Sequence, residues 1–408
     1  MIIKPGEING TLKVPASKSI THRALICAAL TKTTGVVKNQ LDSEDSTATR
    51  NALEVLGAEF NGEEVDGKKF LTKGSTIDCG ESGSTLRFLL PIACLSEKPC
   101  TLTGSKRLLE RPIKPLAEAL EKLGARIETT GGFAPARTMP GLVGGKCSMP
   151  GDVSSQFVSG MLLALPLCKE ETEITLSSPL ESRPYVDLTI QTMKQFGITV
   201  SQNPEGYQIK HQQYTIPSNG FEVEGDWSSA AFWLIAGAIG GSIRVKNVFE
   251  SRQADYAIVN ILKKMNADVS VWHNGAEAKK STLEGIEIDV SQCPDLVPIL
   301  AVAGGFAQGK TRLYNAARLR LKESDRLASM ACELRKMGAE ITEKPDELEI
   351  KHCKELHGAE MESHNDHRVA MSLSIAACYA KGESKINGSE CVSKSYPDFY
   401  KHLKQVKK

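Results

Sequence analysis

The chain has 408 residues, a formal net charge of +1, and 24% charged against 41% hydrophobic residues. Its length exceeds what one ordinary hydrophobic core accommodates, so two domains are expected in a soluble globular protein. The near-zero charge argues against a protein that recruits nucleic acid through its overall field, so any anion site has to be local.

A pattern of about 70 residues recurs six times along the chain. Each copy opens with a polar start, continues into an apolar helical run, and then reaches a strand. The six starts are Ser17-Lys18-Ser19, Ser82-Gly83-Ser84, Ser154-Ser155-Gln156, Asp226-Trp227-Ser228-Ser229, Asp295 and Asn365-Asp366-His367-Arg368. The strands that follow are marked by Val37, Leu102, Leu176, Val245, Leu313 and Ile386. A second helix comes next, and the sixth copy is cut short near residues 399–403.

The two helices of each copy differ in their hydrophobic pattern. The first, as at 24–30, 157–167 and 296–306, is apolar on every side, which predicts burial on every side. The second, as at 113–123, carries one apolar stripe and should show its other face to water. The sequence therefore predicts an α/β fold of two inside-out barrel domains, each with three βαβαββ-type repeats around buried parallel helices.

We predict one domain from residues 1–15 together with 223–408, and the other from residues 16–222. A turn cluster at 216–220 lies close to the break. The short strand at 8–14 precedes the first copy and is expected to pair back with the C-terminal domain. The chain then crosses twice between the domains, which predicts a two-strand hinge with the active site in the cleft.

Several classes of protein are not favoured by the sequence. The longest apolar runs are too short to span a bilayer, and the N-terminus has no secretory pattern. Eleven scattered cysteines without a C-x-x-C pair suit reduced thiols in the cytoplasm. No His/Cys cluster has zinc-ligand spacing, and we expect neither a metal nor a cofactor. A monomer is the default expectation.

Candidate functional residues of the first three copies lie close to predicted helix starts. Lys18 and Arg23 are cations where the helix dipole disfavours positive charge, which indicates a ligand anion nearby. The alternative is a serine cap with solvated side chains. Pro112 is expected near the first turn of a helix, so that Arg111 also stands at an N-terminus. Further candidates, with capping as the alternative, are Ser19, Gly83, Ser154, Ser155 and Gln156.

The last three copies add both signs of charge. The stretch 318–327 carries six charges within its first nine residues, with leucines interleaved, and it joins a strand to a helix. A solvated face is the alternative, but the interleaved leucines favour a site. Cations at equivalent ends of the copies bind phosphates and carboxylates, and a few carboxylates among them suit acid–base work. The cations here are Lys322, Arg326, Arg368 and Lys394, and the carboxylates are Asp295 and Glu323.

At this point the chain resembles the 5-enolpyruvylshikimate-3-phosphate synthase family of enolpyruvyl transferases. The matching stretches run in family order from residue 15 to residue 397, so the resemblance covers essentially the whole chain. They are Pro15-Ala16-Ser17-Lys18-Ser19, Glu110-Arg111-Pro112-Ile113, Val153-Ser154-Ser155-Gln156-Phe157, Arg183-Pro184-Tyr185-Val186-Asp187, Leu321-Lys322-Glu323-Ser324-Asp325-Arg326 and Asn365-Asp366-His367-Arg368.

The resemblance implies transfer of the enolpyruvyl group of phosphoenolpyruvate to the 5-hydroxyl of shikimate 3-phosphate, with release of phosphate through a tetrahedral ketal. It implies that shikimate 3-phosphate is bound by Lys18, Ser19, Arg23, Ser154, Ser155, Gln156, Ser182, Tyr185, Asp295 and Lys322. It implies that phosphoenolpyruvate is bound by Lys18, Gly83, Arg111, Gln156, Arg326, Arg368 and Lys394.

The same resemblance suggests catalytic roles. Glu323 is expected to protonate the methylene carbon, Asp295 to act as the base near the 5-hydroxyl, and Lys18 to neutralise the departing phosphate. The sequence leaves open which carboxylate serves each step. Departures from the family pattern are Ser84, Thr85 and Phe88, and Arg318, whose contact is not carried over. The retained Gly83 leaves room for glyphosate, which we predict competes with phosphoenolpyruvate.

Three other kinds of protein share some of these features. The UDP-N-acetylglucosamine 1-carboxyvinyltransferase family shares architecture and donor, but its reactive cysteine loop matches residues 104–115, which contain no cysteine. RNA 3'-phosphate cyclase would call for nucleotide and RNA surfaces, against which the near-zero charge argues. A non-enzymatic repeat scaffold explains the period but not the cations gathered at one end of the copies.

Overall fold

A computed structural model describes residues 1–408, the whole chain. None of its helices combines the length and apolar character needed to cross a membrane. The helices are α1 (Lys18–Leu30), α2 (Glu44–Val55), α3 (Gly83–Ala93), α4 (Lys106–Leu109), α5 (Lys114–Lys122), α6 (Ser155–Ala164), α7 (Arg183–Gln195), α8 (Trp227–Gly240), α9 (Ala257–Lys264), α10 (Val297–Phe306), α11 (Arg326–Lys336), α12 (His367–Cys378) and α13 (Phe399–Val406). Short 3₁₀ helices cover Leu165–Leu167, Ala254–Tyr256, Pro294–Leu296, Ala317–Leu321 and Ser389–Lys394.

The strands are short and numerous. They are β1 (Ile2–Ile3), β2 (Asn9–Lys13), β3 (Thr34–Lys38), β4 (Glu59–Asn61), β5 (Glu64–Asp66), β6 (Thr76–Asp78), β7 (Cys100–Thr103), β8 (Arg126–Thr130), β9 (Phe133–Met139), β10 (Gly145–Met149), β11 (Thr172–Leu176), β12 (Ser201–Asn203), β13 (Gly206–Ile209), β14 (Phe221–Glu222), β15 (Ser242–Lys246), β16 (Asp268–Trp272), β17 (Gly275–Lys279), β18 (Glu287–Asp289), β19 (Lys310–Tyr314), β20 (Ile341–Lys344), β21 (Glu347–Lys351), β22 (Glu360–Glu362) and β23 (Ser384–Asn387).

Polar side chains cap exposed backbone N–H groups at the starts of four of the six buried helices, α3, α6, α8 and α12. The Ser82 side chain accepts a hydrogen bond from the Thr85 N–H at the start of α3, and Asp226 accepts one from Ser229 at the start of α8. α1 and α10 begin without a side-chain cap, and Asp295 lies in the 3₁₀ helix before α10. Almost every residue of the first helix of a repeat is buried, as the sequence predicted.

Two compact units make up the chain. The N-terminal unit is Ser17–Val223, and the C-terminal unit combines Met1–Ala16 with Glu224–Lys408. The chain therefore passes between the units twice. In the C-terminal unit, β2 from the N-terminus pairs in parallel with β15, and β1 pairs antiparallel with β23.

Each unit contains three sheets, and every sheet has one parallel pair of strands. The sheets of the N-terminal unit have the orders β14-β3-β5-β4, β6-β7-β9-β8 and β10-β11-β13-β12. Those of the C-terminal unit have the orders β16-β17-β15-β2, β18-β19-β21-β20 and β1-β23-β22. The six predicted strand markers lie in β3, β7, β11, β15, β19 and β23, the strands that make the parallel pair. This is the predicted βαβαββ repeat, and the predicted α/β fold class is confirmed.

One predicted helix start can be placed more exactly. Pro112 is expected near the first turn of a helix, and α5 begins at Lys114, with Ile113 as its N-cap and Pro115 in its first turn. Proline is favoured in a first turn because its missing N–H costs no hydrogen bond there. Two prolines three residues apart competed for this place, and Pro115 occupies it. Arg111 consequently lies in the loop between α4 and α5.

Candidate active site

The C-terminal unit gathers carboxylates around Arg326, the first residue of α11. Its guanidinium group donates from Nη1 to Asp295 Oδ1, from Nη2 to Glu323 Oε2 and from Nε to Asp366 Oδ2, each at 2.8 Å. Burial would lower the pKa of Arg326, but Asp366, Glu323 and Asp295 outweigh it and raise that pKa. Arg326 is therefore a permanently charged centre that fixes the positions of both predicted catalytic carboxylates.

Asp295 joins this centre to a second arginine. Its Oδ2 atom accepts a hydrogen bond from Arg368 Nη2 at 3.0 Å, while Oδ1 faces Lys322 Nζ at 3.4 Å as well as Arg326. Burial lowers the pKa of Lys322, and Asp295 only partly opposes this effect. The carboxylate is thus held from both sides, as a base requires if it is to keep a fixed orientation.

Arg368 lies in the first turn of α12 and reaches further groups. Its Nη2 atom lies 3.3 Å from Ser228 Oγ, and its Nη1 atom lies 3.9 Å from Asp255 Oδ2. Ser228 in turn donates a short hydrogen bond to Asp255. Ser228, at the start of α8, therefore helps to hold Arg368 in place at the start of α12.

Lys394 ends a 3₁₀ helix and donates from Nζ to the carbonyl oxygen of Asn365 at 2.6 Å. Asn365 and the preceding His364 both have left-handed backbone angles, with φ of 54° and 53°. This conformation is uncommon for residues other than glycine. The turn brings Lys394 next to the residue that precedes Asp366. All six predicted site residues of this unit therefore belong to one connected group.

In the N-terminal unit, α1 carries three of the predicted residues. Lys18 Nζ forms an ion pair with Asp45 Oδ2 at 2.6 Å. Arg23 donates to the carbonyl oxygens of Ser19 at 2.7 Å and Tyr185 at 3.0 Å. Burial lowers the pKa of Arg23 to about 10, against the opposing effects of Tyr185 and Cys27. Arg23 thereby ties Ser19 and Tyr185 into one cluster.

Gly83 and Arg111 are in direct contact. A β-carbon on Gly83 would lie 2.6 Å from Arg111 Nη1 and 2.8 Å from Cζ, so the guanidinium group covers the first residue of α3. A buried cation at this helix start adds to the positive end of the helix dipole. The two residues together form a place for an anion.

Gln156, in the first turn of α6, connects to the same helix start. Its Nε2 atom donates to Ser84 Oγ at 2.9 Å, and its Oε1 atom accepts from Arg87 Nη1 at 2.6 Å. Both partners lie on α3. The amide of Gln156, which is expected to bind both substrates, is thus oriented by one donor and one acceptor from α3.

The predicted serines stand at two helix starts. Ser154 caps α6 by accepting from the Gln156 N–H at 3.3 Å, and Ser155 is the first residue of that helix. Ser182 precedes α7 in a left-handed conformation with a φ of 52°. The Thr189 hydroxyl of α7 donates to Ser159 of α6 at 2.9 Å, so the two helices are linked. Hydroxyls before two linked helices suit a phosphate group.

Comparisons with known proteins point to one family along nearly the whole chain. Residues 2–403 match the model of the family described as EPSP synthase (3-phosphoshikimate 1-carboxyvinyltransferase). The chain belongs to this family. A 3-phosphoshikimate 1-carboxyvinyltransferase of Clostridium novyi (strain NT) is 42% identical over 420 residues, which cover 99% of this chain and 96% of the relative. One of Clostridium acetobutylicum is 43% identical over 415 residues, covering 99% and 96%.

A solved structure agrees as well. The EPSP synthase of Acinetobacter baumannii superposes with a TM-score of 0.84 at 30% identity, covering 100% of this chain and 98% of that one. The chain is therefore a transferase with the EPSP synthase fold, and the family expected from its motifs is confirmed. The predicted residues form one connected group in the C-terminal unit, and in the N-terminal unit they lie in several clusters at the starts of α1, α3, α6 and α7. Their joint action on one substrate pair stays a prediction.

Four polar residues of these groups were not singled out by sequence reasoning. They are Asp45, Arg87, Asp255 and Asp366. Asp366 lies inside the motif Asn365-Asp366-His367-Arg368, but no role was predicted for it. Asp45 and Asp255 lie outside the six polar starts, and only the fold brings them to Lys18 and Arg368. Arg87 follows Gly83 by one helical turn, which is the one local indication of its place. No group of three or more His, Cys, Asp or Glu side chains is arranged to hold a metal ion.

Proposed function

We propose that the enzyme transfers the enolpyruvyl group of phosphoenolpyruvate to the 5-hydroxyl of shikimate 3-phosphate and releases phosphate. The observation that carries this proposal is Asp295 held between Arg326 and Arg368, with Glu323 on the same Arg326. Two carboxylates that share the cation Arg326 provide a base and an acid beside positive charge. That combination suits a reaction between two anionic molecules in which protons move to and from carbon.

Phosphoenolpyruvate is assigned to cations at or beside helix starts and to Lys394. Its phosphate and carboxylate are both anions, and guanidinium groups bind such groups with two parallel hydrogen bonds. We assign it to Lys18, Gly83, Arg111, Gln156, Arg326, Arg368 and Lys394. The contact of Arg111 with Gly83, and the place of Arg368 beside Asp295, support this assignment.

Shikimate 3-phosphate is assigned to the cluster around Arg23 and to the serines. We propose that Ser19 and Arg23 hold its carboxylate, and that Ser154, Ser155 and Ser182 hold its phosphate, with Tyr185 alongside. Asp295, Lys322, Gln156 and Lys18 complete the set. The hydrogen bonds that join Arg23 to Ser19 and Tyr185, and the link between α6 and α7, support a single binding surface.

The first chemical step is an addition. Glu323 gives a proton to the methylene carbon of phosphoenolpyruvate, and the neighbouring carbon becomes electrophilic. Asp295 accepts the proton of the 5-hydroxyl while the hydroxyl oxygen bonds to that carbon. The product is a tetrahedral ketal that still carries phosphate. Each proton lost by the alcohol is matched by one gained at a carboxylate, so the step balances.

The second step is an elimination. A carboxylate removes one proton from the new methyl group, the C–O bond to phosphate breaks, and the enolpyruvyl double bond forms. Lys18 neutralises charge on the departing phosphate, and Asp295 returns to its starting state by giving the proton of the 5-hydroxyl to that phosphate. Because the methyl group retains the position of the former methylene carbon, Glu323 is placed to accept this proton and return to its starting state.

The enzyme's cellular context is also a proposal. Eleven cysteines are free and nine of them are buried, which suits a reducing compartment such as the cytoplasm. We propose a cytoplasmic monomer that acts on small molecules and binds neither nucleic acid nor membranes. Light scattering coupled to gel filtration tests the monomer: a mass near 44.2 kDa is expected, and twice that value would contradict it.

The activity is tested by phosphate release. Purified enzyme is mixed with phosphoenolpyruvate and shikimate 3-phosphate, and inorganic phosphate is measured over time. Each substrate alone, and phosphoenolpyruvate with UDP-N-acetylglucosamine, serve as controls. Release only with the shikimate 3-phosphate pair is expected. Release with the UDP-sugar, or none with either acceptor, would overturn the proposed reaction.

A further inference from the structure

A buried line of hydrogen bonds joins the first three helices of the N-terminal unit. His22 Nδ1 lies 2.6 Å from Thr49 Oγ1, and Thr49 Oγ1 lies 2.6 Å from Thr85 Oγ1. Thr85 Oγ1 lies 2.7 Å from Ser82 Oγ at the start of α3. All four side chains are buried. None of them has a part in the reaction described so far.

The geometry gives this line a direction. Thr85 donates its hydroxyl proton to Ser82, so the hydrogen bond between Thr49 and Thr85 has to be donated by Thr49. Thr49 has then used its only proton, which leaves His22 Nδ1 as the donor at the far end. His22 Nε2 is buried without a hydrogen-bond partner, which agrees with a single imidazole proton on Nδ1.

Ser82 receives two hydrogen bonds, from the Thr85 hydroxyl at 2.7 Å and from the Thr85 N–H at 3.2 Å. Its oxygen therefore has both lone pairs in use, and its own O–H proton meets no acceptor in the chain. Nearly all buried donors in proteins have a hydrogen-bond acceptor, so a buried donor without one at a functional site indicates a ligand. Ser82 directly precedes Gly83, which Arg111 covers.

We propose that the Ser82 hydroxyl donates a hydrogen bond to an anionic oxygen of phosphoenolpyruvate, and that His22 is a positioning residue that aims this hydroxyl through Thr49 and Thr85. This inference rests on the proposed function. It assigns to the Gly83 and Arg111 site a donor that the family resemblance did not supply.

The surroundings of His22 keep the line fixed over the working pH range. Burial lowers the pKa of His22 well below its usual value, and the neighbouring charges of Lys18 and Arg23 lower it further. A neutral ring with its proton on Nδ1 can only donate toward Thr49. The direction of the whole line therefore does not reverse between weakly acidic and weakly basic pH.

The first test is Ser82→Ala, measured as the KM for each substrate. A hydrogen bond to a charged group is lost, so the KM for phosphoenolpyruvate should rise about tenfold or more, with the KM for shikimate 3-phosphate within about twofold. Ser96→Ala is the matched control. Ser96 is as buried as Ser82, at 1% exposure. It lies beyond the C-terminal end of α3, and its hydroxyl donates to the carbonyl oxygen of Lys73.

The outcomes separate the two proposals. If the wild-type chain does not release phosphate, the proposed reaction fails. If the wild type is active but Ser82→Ala leaves the KM for phosphoenolpyruvate unchanged, or Ser96→Ala raises it equally, the inference about Ser82 is overturned. A rise confined to Ser82→Ala supports it.

The second test reads the wild type directly and does not depend on a variant enzyme that folds. Nitrogen-15 NMR distinguishes the two imidazole tautomers, and the His22 signals among the eight histidines are assigned by their loss in His22→Asn. A neutral ring protonated on Nδ1 is expected from about pH 5.5 to pH 8.5. A proton on Nε2, or titration within this range, would overturn the positioning role of His22.

Discussion

Arg326 and Asp366 form an ion pair of 2.8 Å between Nε and Oδ2, and their side chains are only 1% and 0% exposed. A pair so deeply buried is stable only while both partners and their hydrogen bonds are present. Asp366 also accepts from the Ser324 hydroxyl at 3.1 Å and from the Arg368 N–H at 2.9 Å. One carboxylate thus holds the starts of α11 and α12 together.

The first prediction concerns this pair. Asp366→Asn keeps the shape and the cap but removes the charge, which leaves Arg326 buried with only two of its three carboxylate partners, Asp295 and Glu323. The free energy of unfolding should fall by about 1.5–3 kcal/mol. Urea denaturation measures the change. Glu360→Gln is the control, because its pair with Lys385 is exposed and such pairs contribute no more than about 1 kcal/mol. Equal losses in the two variants would contradict the prediction.

The second prediction concerns the proposed acid. Glu323→Gln should lower kcat by about 10²- to 10⁴-fold, since a positioned acid or base contributes that much to rate. Its hydrogen bond to Arg326 Nη2 at 2.8 Å is of a kind that an amide oxygen can also accept, so folding should persist. Steady-state phosphate release measures kcat, with the exposed Glu340→Gln as the control. Full turnover in Glu323→Gln would remove Glu323 from the acid's role.

The third prediction concerns pH. Burial raises the pKa of Asp255 to about 6, although Arg368 opposes this; Asp295 and Asp226 add to the rise, and the Ser228 hydrogen bond lowers it. The folded state then holds a proton more tightly than the unfolded state, whose Asp has a pKa near 3.8. The protonated Asp255 carboxyl consequently stabilises the folded state below about pH 4, and this contribution to stability is lost as the pH rises through 6.

Asp255→Asn tests this sign. The free energy of unfolding of the variant minus that of the wild type should increase by about 2–3 kcal/mol between pH 4 and pH 7, because only the wild type has to ionise this buried carboxyl. Urea denaturation at both pH values gives the difference, in which the other carboxylates cancel. A difference that stays constant or moves the other way would mean that Asp255 ionises easily.

The fourth prediction concerns Gly83. In Gly83→Ala the new β-carbon meets Arg111 Nη1 at 2.6 Å, so the guanidinium group has to move away from the start of α3. We expect the KM for phosphoenolpyruvate and the inhibition constant of glyphosate both to rise about tenfold or more, with competition retained. Gly305→Ala is the matched control, because its β-carbon meets nothing within 4 Å. Unchanged constants, or noncompetitive glyphosate, would contradict the shared site.

The helix starts could be predicted because their determinants are local. A capping side chain followed by an apolar run places Trp227 at the start of α8 and His367 at the start of α12, and the structure begins both helices there. The six-fold recurrence of the pattern marks one strand in each copy, and in the structure each marked strand belongs to the parallel pair of its sheet.

The partners of the site residues could not be predicted in the same way. Lys18 pairs with Asp45, which lies 27 residues away in a helix of its own, and no local pattern marks Asp45. Arg318 was left without a role, and the structure directs its Nη2 atom to the carbonyl oxygen of Ser291 at 2.8 Å. Such pairs follow from the way the repeats pack, which a linear pattern does not contain.

The last prediction concerns Glu333, which supports the left-handed turn beside Asp366. This buried carboxylate accepts from Lys336 Nζ at 2.7 Å, from His364 Nε2 at 2.8 Å and from the Glu362 N–H at 3.0 Å. Burial would raise the pKa of Glu333, but these three hydrogen bonds outweigh it and lower that pKa below its usual 4.5. The stability it contributes is therefore present above pH 4.5 and is lost as the pH falls through its folded-state value.

Glu333→Gln should lower the free energy of unfolding by about 1–3 kcal/mol at pH 7, because a buried charge-assisted network loses its acceptor. The difference from the wild type should shrink at pH 4. Since His364 and the Glu362 N–H then lose their charged acceptor, the turn that ends at Asn365 should loosen. The Asn365 carbonyl should then release Lys394, and the KM for phosphoenolpyruvate should rise. A loss of stability without any change in this KM would show that Lys394 keeps its place without the turn, and that the turn serves folding alone.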